Sequence, residues 1–210
     1  MFELHYYPAG VPHPSLDPET IRTTEIAWEQ YIASRLRVSV AAFHTRVHDL
    51  ISQVPLDDAV DSIGFSNVDR VRGTGVELEA EAAWASGPHA LASYTFARTE
   101  RSPGPADLTN SPRHLFRGRL TAPIARGAAF VGAEALYTGD RFDGGGGVVH
   151  GALIGNLTLT TRPIAKHLAV AFSMYNLFDR SYADPGAEEH LQRSIAQDGR
   201  TLRLRATWHF

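Results

Sequence analysis

Hydrophobic and polar residues alternate along much of this 210-residue chain, and the final segment shows the pattern most clearly. Its apolar set is Leu202, Leu204, Ala206, Trp208 and Phe210, and its intervening set is Thr201, Arg203, Arg205, Thr207 and His209. Similar alternation occurs at 36–42, 76–84, 90–96 and 168–175. Alternation with a period of two predicts β-strands whose two faces meet different surroundings.

Clusters of Gly, Pro, Asn and Asp divide the chain into about ten predicted strands. They are 2–7, 20–33, 35–51, 67–85, 88–100, 114–124, 127–141, 149–162, 167–178 and 200–210. Most exceed the ~5–6 residues of an ordinary globular strand. A strand of about 11 residues with a tilt of ~40° has a height of ~27 Å, close to the ~25 Å apolar band of an outer-membrane barrel.

The predicted connections alternate in length. Short turns fall at 33–35, 85–89, 124–127 and 163–167, and long loops fall at 8–19, 52–66, 101–113, 142–148 and 179–199. This order is typical of an antiparallel meander with tight turns on one rim and projecting loops on the other. We therefore predict an all-β fold, an antiparallel up-and-down transmembrane β-barrel segment. A soluble sheet with one solvated face is the alternative.

The charges on the polar faces favour the barrel over a dry sandwich. Glu77, Glu79 and Glu81 share one strand face, and Arg203 and Arg205 share another. A wide, wet lumen tolerates such side chains and allows pairing across strands, whereas a dry core would penalise them.

Composition narrows the functional classes. The formal net charge of -3 argues against a nucleic-acid partner, and the lack of cysteine excludes disulfides and Cys-based metal or redox centres. No run approaches the ~18 consecutive apolar residues of a membrane helix. The first residues, MFELHYYPAG, lack the pattern of a secretory signal peptide.

Several stretches, in their order along the chain, resemble the C-terminal part of the β-barrel of TonB-dependent outer-membrane receptors. These stretches are LDPETIRTTEIAWEQ at 16–30, LRVSVAAFHTRVHDLI at 36–51, NVDRVRGTGVELEAEA at 67–82, LTNSPRHLF at 108–116, YNLFDRSYADP at 175–185 and LRLRATWHF at 202–210. The resemblance extends over nearly the whole sequence.

The resemblance implies a part of a barrel of about 22 strands in the outer membrane of a Gram-negative bacterium. Such receptors take up scarce ligands, most often ferric siderophores and sometimes haem or cobalamin, with energy from the TonB complex. The partners implied are outer-membrane lipid, a plug domain, the remaining barrel strands, TonB through an N-terminal part, and the barrel assembly machinery.

The chain departs from the family's full pattern because it shows about ten strands and no plug domain, TonB box or signal peptide. We expect 1–210 to be the C-terminal portion of a receptor barrel that transports nothing alone. A small autonomous outer-membrane barrel acting as enzyme or anchor, and a soluble β-sheet binding module, are the alternative functions.

Two groups of residues are predicted to act in such a receptor. Tyr182, Asp184 and Arg193 lie in the last long loop and are hypothetical ligand contacts. Leu204, Trp208 and Phe210 form the terminal apolar pattern, which the resemblance implies is the signal for outer-membrane assembly.

No enzyme, cofactor or metal site is predicted. His44 and His48 are ~13 Å apart on a strand and cannot share one ion. The DGGGG stretch at 143–147 lacks the lysine and following helix of a phosphate-binding loop, and we interpret it as a flexible extracellular loop.

Overall fold

A computed structural model describes residues 16–55, 63–102, 108–164, 167–186 and 191–210. Its strands are β1 Thr20–Ile32, β2 Leu36–Pro55, β3 Ile63–Ala83, β4 His89–Ser102, β5 His114–Ile124, β6 Ala129–Thr138, β7 Arg141–Phe142, β8 Val148–Val149, β9 Ala152–Thr161, β10 Leu168–Tyr175, β11 Ala183–Pro185, β12 Ser194–Ala196 and β13 Thr201–Trp208. Among these residues no helix has the length and apolar character needed to cross a membrane.

Nine strands form one sheet in the order β1-β2-β3-β4-β5-β6-β9-β10-β13. Each strand lies beside its neighbours in the chain once the two short ladders, β7–β8 and β11–β12, are set aside. The predicted antiparallel, up-and-down, all-β architecture is therefore confirmed.

The observed strand boundaries agree with the predicted ones at most positions. Strand β5 has the predicted bounds, but a 3-10 turn at Ala125–Gly127 shortens the predicted strand 127–141 at its start. The long loop predicted at 52–66 was too long, because β2 continues to Pro55 and β3 begins at Ile63. The predicted strand 2–7 lies outside the described residues.

Tight turns join successive long strands where positive backbone φ angles are needed. Ala33 has φ 52° between β1 and β2, and Gly87 has φ 107° between β3 and β4. The turn before β6 contains Arg126 with φ 56° and Gly127 with φ 85°. Glycine adopts this region at little cost, whereas other residues need support from neighbouring hydrogen bonds.

Residue contacts divide the chain into two compact units. The first contains the described parts of Met1–Glu25, Phe43–Gly75 and Arg98–Leu108, and the second contains the described parts of Ile26–Ala42, Val76–Ala97 and Thr109–Phe210.

In the second unit the ladders separate two faces of the sheet. Leu204 of β13 pairs with Phe172 of β10, which pairs with Leu159 of β9, so apolar residues of three strands share one face. Arg205 pairs with Ala171, which pairs with Thr160, on the opposite face. The apolar face is open: Leu204 is 72% exposed and Leu153 is 52% exposed.

The first unit is held by side-chain bonds to backbone groups near the strand ends. The Asn67 amide donates to the carbonyls of Asp17 and Asp49 at 2.9 and 2.7 Å. The Glu19 carboxylate accepts from the Ile51 amide at 2.8 Å. Within the described residues of the whole chain, the buried apolar side chains are Phe65, Val71 and Val149, so the strands do not enclose a large dry core.

Candidate functional site

A charged cluster occupies the polar face of β1, β2 and β3 in the second unit. The Arg37 guanidinium donates to Glu29 at 3.1 Å, to Glu81 at 3.3 Å, and also to Glu79. His89 on β4 lies 2.9 Å from the Glu81 carboxylate. Alternation places these side chains on one face, and antiparallel pairing brings them together.

A second polar cluster lies further along the same sheet. Arg119 of β5 and Glu134 of β6 form an ion pair at 2.8 Å, and their backbones are direct cross-strand partners. A cleft of about 510 Å³ adjoins this pair, and Arg203 and Arg205 of β13 also line it. The cleft therefore has more arginine than carboxylate in its lining.

A third polar surface lies at the end of β6, β9, β10 and β13 from which the long connections leave. It is a cleft of about 520 Å³. Its lining includes Tyr182 and Asp184, two of the three predicted contact residues, together with Tyr175, Asn176, Gln197 and Asp198. Most of these side chains can donate or accept hydrogen bonds in several directions, which suits a polar ligand.

Arg141 of β7 holds the connections together at the opening of this cleft. The sequence analysis did not identify this residue. Its guanidinium donates to the Asp184 carboxylate at 2.7 Å and to the Ala183 carbonyl at 3.1 Å. A third bond reaches the side-chain oxygen of Asn110 at 3.2 Å. Arg141 thus joins three connections that are far apart in sequence, and nothing in the local pattern around residue 141 signals this role.

Arg193, the third predicted contact residue, is not part of the lining of that cleft. Its guanidinium lies against the backbone of Gly145, where a Cβ would come within 2.7 Å of its Cζ atom. The structure therefore brings Tyr182 and Asp184 together and places Arg193 at the glycine-rich hairpin.

Residues 143–147, interpreted from the sequence as a flexible extracellular loop, connect β7 and β8 as the loop of a short hairpin. Asp143 is 7% exposed, and its carboxylate accepts from the amides of Gly145 and Gly147 at 2.9 and 2.7 Å. An Asp at the start of a glycine run is a recognised turn signal that could have predicted this.

Asn176 forms the corner where β10 ends and is 3% exposed. Its side chain donates to the Arg180 carbonyl and accepts from the Arg180 amide, both at 2.8 Å. The positive φ of 50° at Asn176 is tolerated by asparagine better than by most residues. This corner fixes the position from which the last long connection departs.

The predicted terminal residues lie on or beyond the open edge strand β13. Trp208 is 58% exposed and stacks on His167 with ring centroids 5.4 Å apart. Leu204 lies on the apolar face, and Phe210 lies two residues beyond the end of β13 and is fully exposed. These positions leave all three side chains accessible, and their role in assembly stays a prediction.

The histidine pair is not arranged for a metal. His44 bonds to the Thr74 hydroxyl at 2.9 Å through Nδ1 and accepts from Arg46 at 3.0 Å through Nε2. Over the described ranges, no group of three His, Cys, Asp or Glu residues could hold a metal ion.

The chain matches a known protein family. The family model "TonB dependent receptor-like, beta-barrel" matches residues 2–177. A search of curated protein sequences finds no match.

Among solved structures, the chain is similar to the ferric-catecholate import receptor Fiu of E. coli K12, with a TM-score of 0.75 and 24% identity over 94% of this chain and 29% of that one. It is similar to the pyoverdine outer membrane receptor FpvA of Pseudomonas aeruginosa PAO1, with a TM-score of 0.74 and 18% identity over 93% and 30%. It is also similar to the ferric yersiniabactin uptake receptor FyuA of Yersinia pestis, with a TM-score of 0.73 and 20% identity over 91% and 30%. The chain therefore spans about 30% of the length of these receptors.

Proposed function

Because this chain belongs to the TonB-dependent receptor family through its β-barrel domain, we propose that residues 1–210 form the C-terminal portion of a receptor barrel. The barrel would lie in the outer membrane of a Gram-negative bacterium. Its function would be the energy-coupled uptake of a scarce ligand, with a ferric siderophore as the leading candidate. The family consists of transport receptors rather than enzymes, and no catalytic residue is proposed.

The observation that carries this proposal is the two-faced sheet. Apolar side chains of β9, β10 and β13 share one open face, whereas arginines, carboxylates and threonines share the other. The apolar face is suited to contact with lipid, and the polar face is suited to contact with the water inside a barrel lumen.

The polar cleft that contains Tyr182 and Asp184 is the proposed ligand contact within this part of the barrel. It lies where the long connections leave the sheet, and in barrels of this type these are the extracellular ends. Arg193, which precedes β12 and lies against Gly145 of the β7–β8 hairpin, would contribute from beside the cleft. The similar structures include a ferric-catecholate import receptor and a ferric yersiniabactin uptake receptor, which supports a ferric ligand here.

The proposed partners follow from the family. They are a plug domain and further barrel strands that complete the receptor, the TonB complex acting through its N-terminal part, outer-membrane lipid, and the barrel assembly machinery. Without the plug domain and the further strands, a receptor would have neither a closed barrel wall nor a gate for its ligand.

Binding of ferric siderophores to outer membranes that carry the receptor with this chain tests the proposal. We expect Tyr182→Ala and Asp184→Ala each to raise the Kd about tenfold, since each loses roughly one hydrogen bond of ~1.4 kcal/mol. Gly144→Ala is the matched control, because a Cβ there has no neighbour within 4 Å. Unchanged Kd values for both cleft variants would remove this cleft from the ligand site.

A further inference from the structure

Two clefts adjoin on the polar face of the second unit. The outer cleft is the proposed ligand contact that contains Asp184, and the inner cleft contains Arg203 and Arg205. Tyr175 lines both clefts. On β13, Thr201 lines the outer cleft, and Arg203 and Arg205 lie about 7 and 13 Å further along the strand. A molecule that leaves the outer cleft along β13 therefore meets the inner cleft next.

Small residues form the floor of the inner cleft. Beside Arg203, the strand ladders place one residue each from β10, β9 and β6 in a row: Ser173, Thr158 and Gly132. The hydroxyl of Thr158 donates to that of Ser173 at 3.0 Å. Neighbouring strands lie about 4.8 Å apart, so β13 and β6 are separated by about 14 Å along the sheet. The short side chains between them leave the cleft a volume of about 510 Å³, which is a typical size for a ligand site.

The inner cleft carries an excess of positive charge. Among the described residues, the carboxylate in its lining is Glu134, which pairs with Arg119 at 2.8 Å. Arg203 and Arg205 are both exposed, and the alternation of the strand projects them to the same side of β13. Guanidinium groups donate several hydrogen bonds in a fixed plane and match the oxygens of an anion in charge and geometry. The arginines of β13 therefore favour an anionic, oxygen-rich molecule in this cleft.

We propose that the inner cleft is a second binding subsite for an anionic, oxygen-rich ferric complex, which it receives from the outer cleft. This inference rests on the proposed function of ligand uptake. Arg203 and Arg205 would donate hydrogen bonds to the oxygens of the complex, and the floor of small residues would leave space for it. The lining shared with the outer cleft favours a ligand in transit over a fixed protein segment as the occupant.

The test measures binding and uptake separately in Gram-negative cells that produce the receptor with this chain. The probes are two complexes of radioactive iron, an anionic ferric tris-catecholate and a neutral ferric tris-hydroxamate. Binding is measured in energy-depleted cells, and uptake is measured in energised cells per assembled receptor.

Three variants separate the charge of the inner cleft from other effects. Arg203→Gln/Arg205→Gln removes the charge, and Arg203→Lys/Arg205→Lys keeps it. Arg35→Gln/Arg126→Gln is the matched control, because it removes the same charge from two short turns of the second unit. The heat-modifiable form in outer-membrane fractions shows how much of each variant is assembled.

We expect the Arg203→Gln/Arg205→Gln variant to bind the anionic complex with a Kd within about twofold of the native value and to take it up roughly tenfold more slowly. The reason is that the complex leaves the outer cleft without an attractive site to receive it. The lysine variant and the turn variant should take it up at nearly the native rate. Unchanged uptake by the glutamine variant, or a Kd that rises as much as uptake falls, would overturn the second subsite.

Two further outcomes identify what would be wrong. If the glutamine variant admits a large antibiotic that the intact outer membrane excludes, the arginines hold the plug domain in place, and the ligand subsite is overturned. Native uptake of the neutral complex alone would also overturn an anionic ligand. Uptake of neither complex by the native receptor would instead overturn the proposed uptake of a ferric siderophore, on which the inference rests.

Discussion

At the scale of single residues, Arg37 is the cation that pairs with a group of carboxylates on the polar face. It lies on β2 and bonds to Glu29 of β1 on one side and to Glu79 and Glu81 of β3 on the other. The arginine therefore neutralises carboxylates on both neighbouring strands and links β1, β2 and β3 on their polar face.

We predict that Arg37→Gln lowers the temperature at which the folded receptor loses its heat-modifiable form. The variant leaves three neighbouring carboxylates without their shared cation. Adding Glu79→Gln to it should restore part of the loss, since one repelling charge is removed. Arg98→Gln, whose exposed ion pair joins two residues of one strand, serves as control and should change little. An equal decrease in this temperature for Arg37→Gln and Arg98→Gln would contradict a stabilising role of the Arg37 contacts.

At the scale of elements, the β3–β4 turn depends on Gly87. Its φ is 107°, and a Cβ there would lie 2.7 Å from the Cγ atom of Pro123. Both the backbone conformation and the available space exclude a side chain.

We predict that Gly87→Ala destabilises the folded chain by about 1–3 kcal/mol, the usual cost of such a strained backbone position. Urea unfolding in detergent measures this. Gly144→Ala has free space around its Cβ and should leave the midpoint unchanged. A neutral Gly87→Ala would show that the turn and Pro123 relax without cost.

The edge strand β13 gives a second prediction at this scale. Leu204 lies on the apolar face, and the adjacent Arg203 lies on the polar face. Leu204→Arg should place a charge in lipid at a cost of about 2–4 kcal/mol and reduce the amount of assembled receptor. Arg203→Leu, the matched change on the opposite face, should assemble nearly normally. The measurement is the heat-modifiable receptor in outer-membrane fractions, and equal assembly of both variants would count against a lipid-facing surface.

At the scale of the whole molecule, short turns and long connections leave the strands at opposite ends. The β7–β8 hairpin belongs to the long connections, and the turn around Gly87 belongs to the short ones. In the proposed topology the β7–β8 hairpin lies outside the cell and the turn around Gly87 lies in the periplasm.

A short epitope inserted between Gly145 and Gly146 should therefore be labelled by antibody on intact cells. The same epitope inserted at Ser86 should be labelled only after the outer membrane is permeabilised. Labelling of the Ser86 insertion on intact cells, with the membrane shown to be sealed, would invert the topology.

Within the described residues, the sequence by itself determined the nine long strands of the sheet, their alternating faces and the antiparallel meander. Each of these follows from local alternation and from turn residues between neighbouring strands, as the match between the predicted and observed β5 shows. Long strands that follow one another in the chain are also neighbours in the sheet, so little long-range information was needed.

Only the tertiary structure decided which side chains of the long connections meet. Arg141 contacts Asp184 and Asn110, which lie 43 and 31 residues away, and Arg193 lies against Gly145 rather than in the cleft with Tyr182. Such contacts depend on how separate loops fold back over the same strand ends, and no periodic pattern within a loop encodes that. The strands were predictable because their hydrogen bonds form a regular pattern between neighbouring segments of the chain. The cleft was not predictable because each of its hydrogen bonds joins a different pair of residues that are distant in sequence.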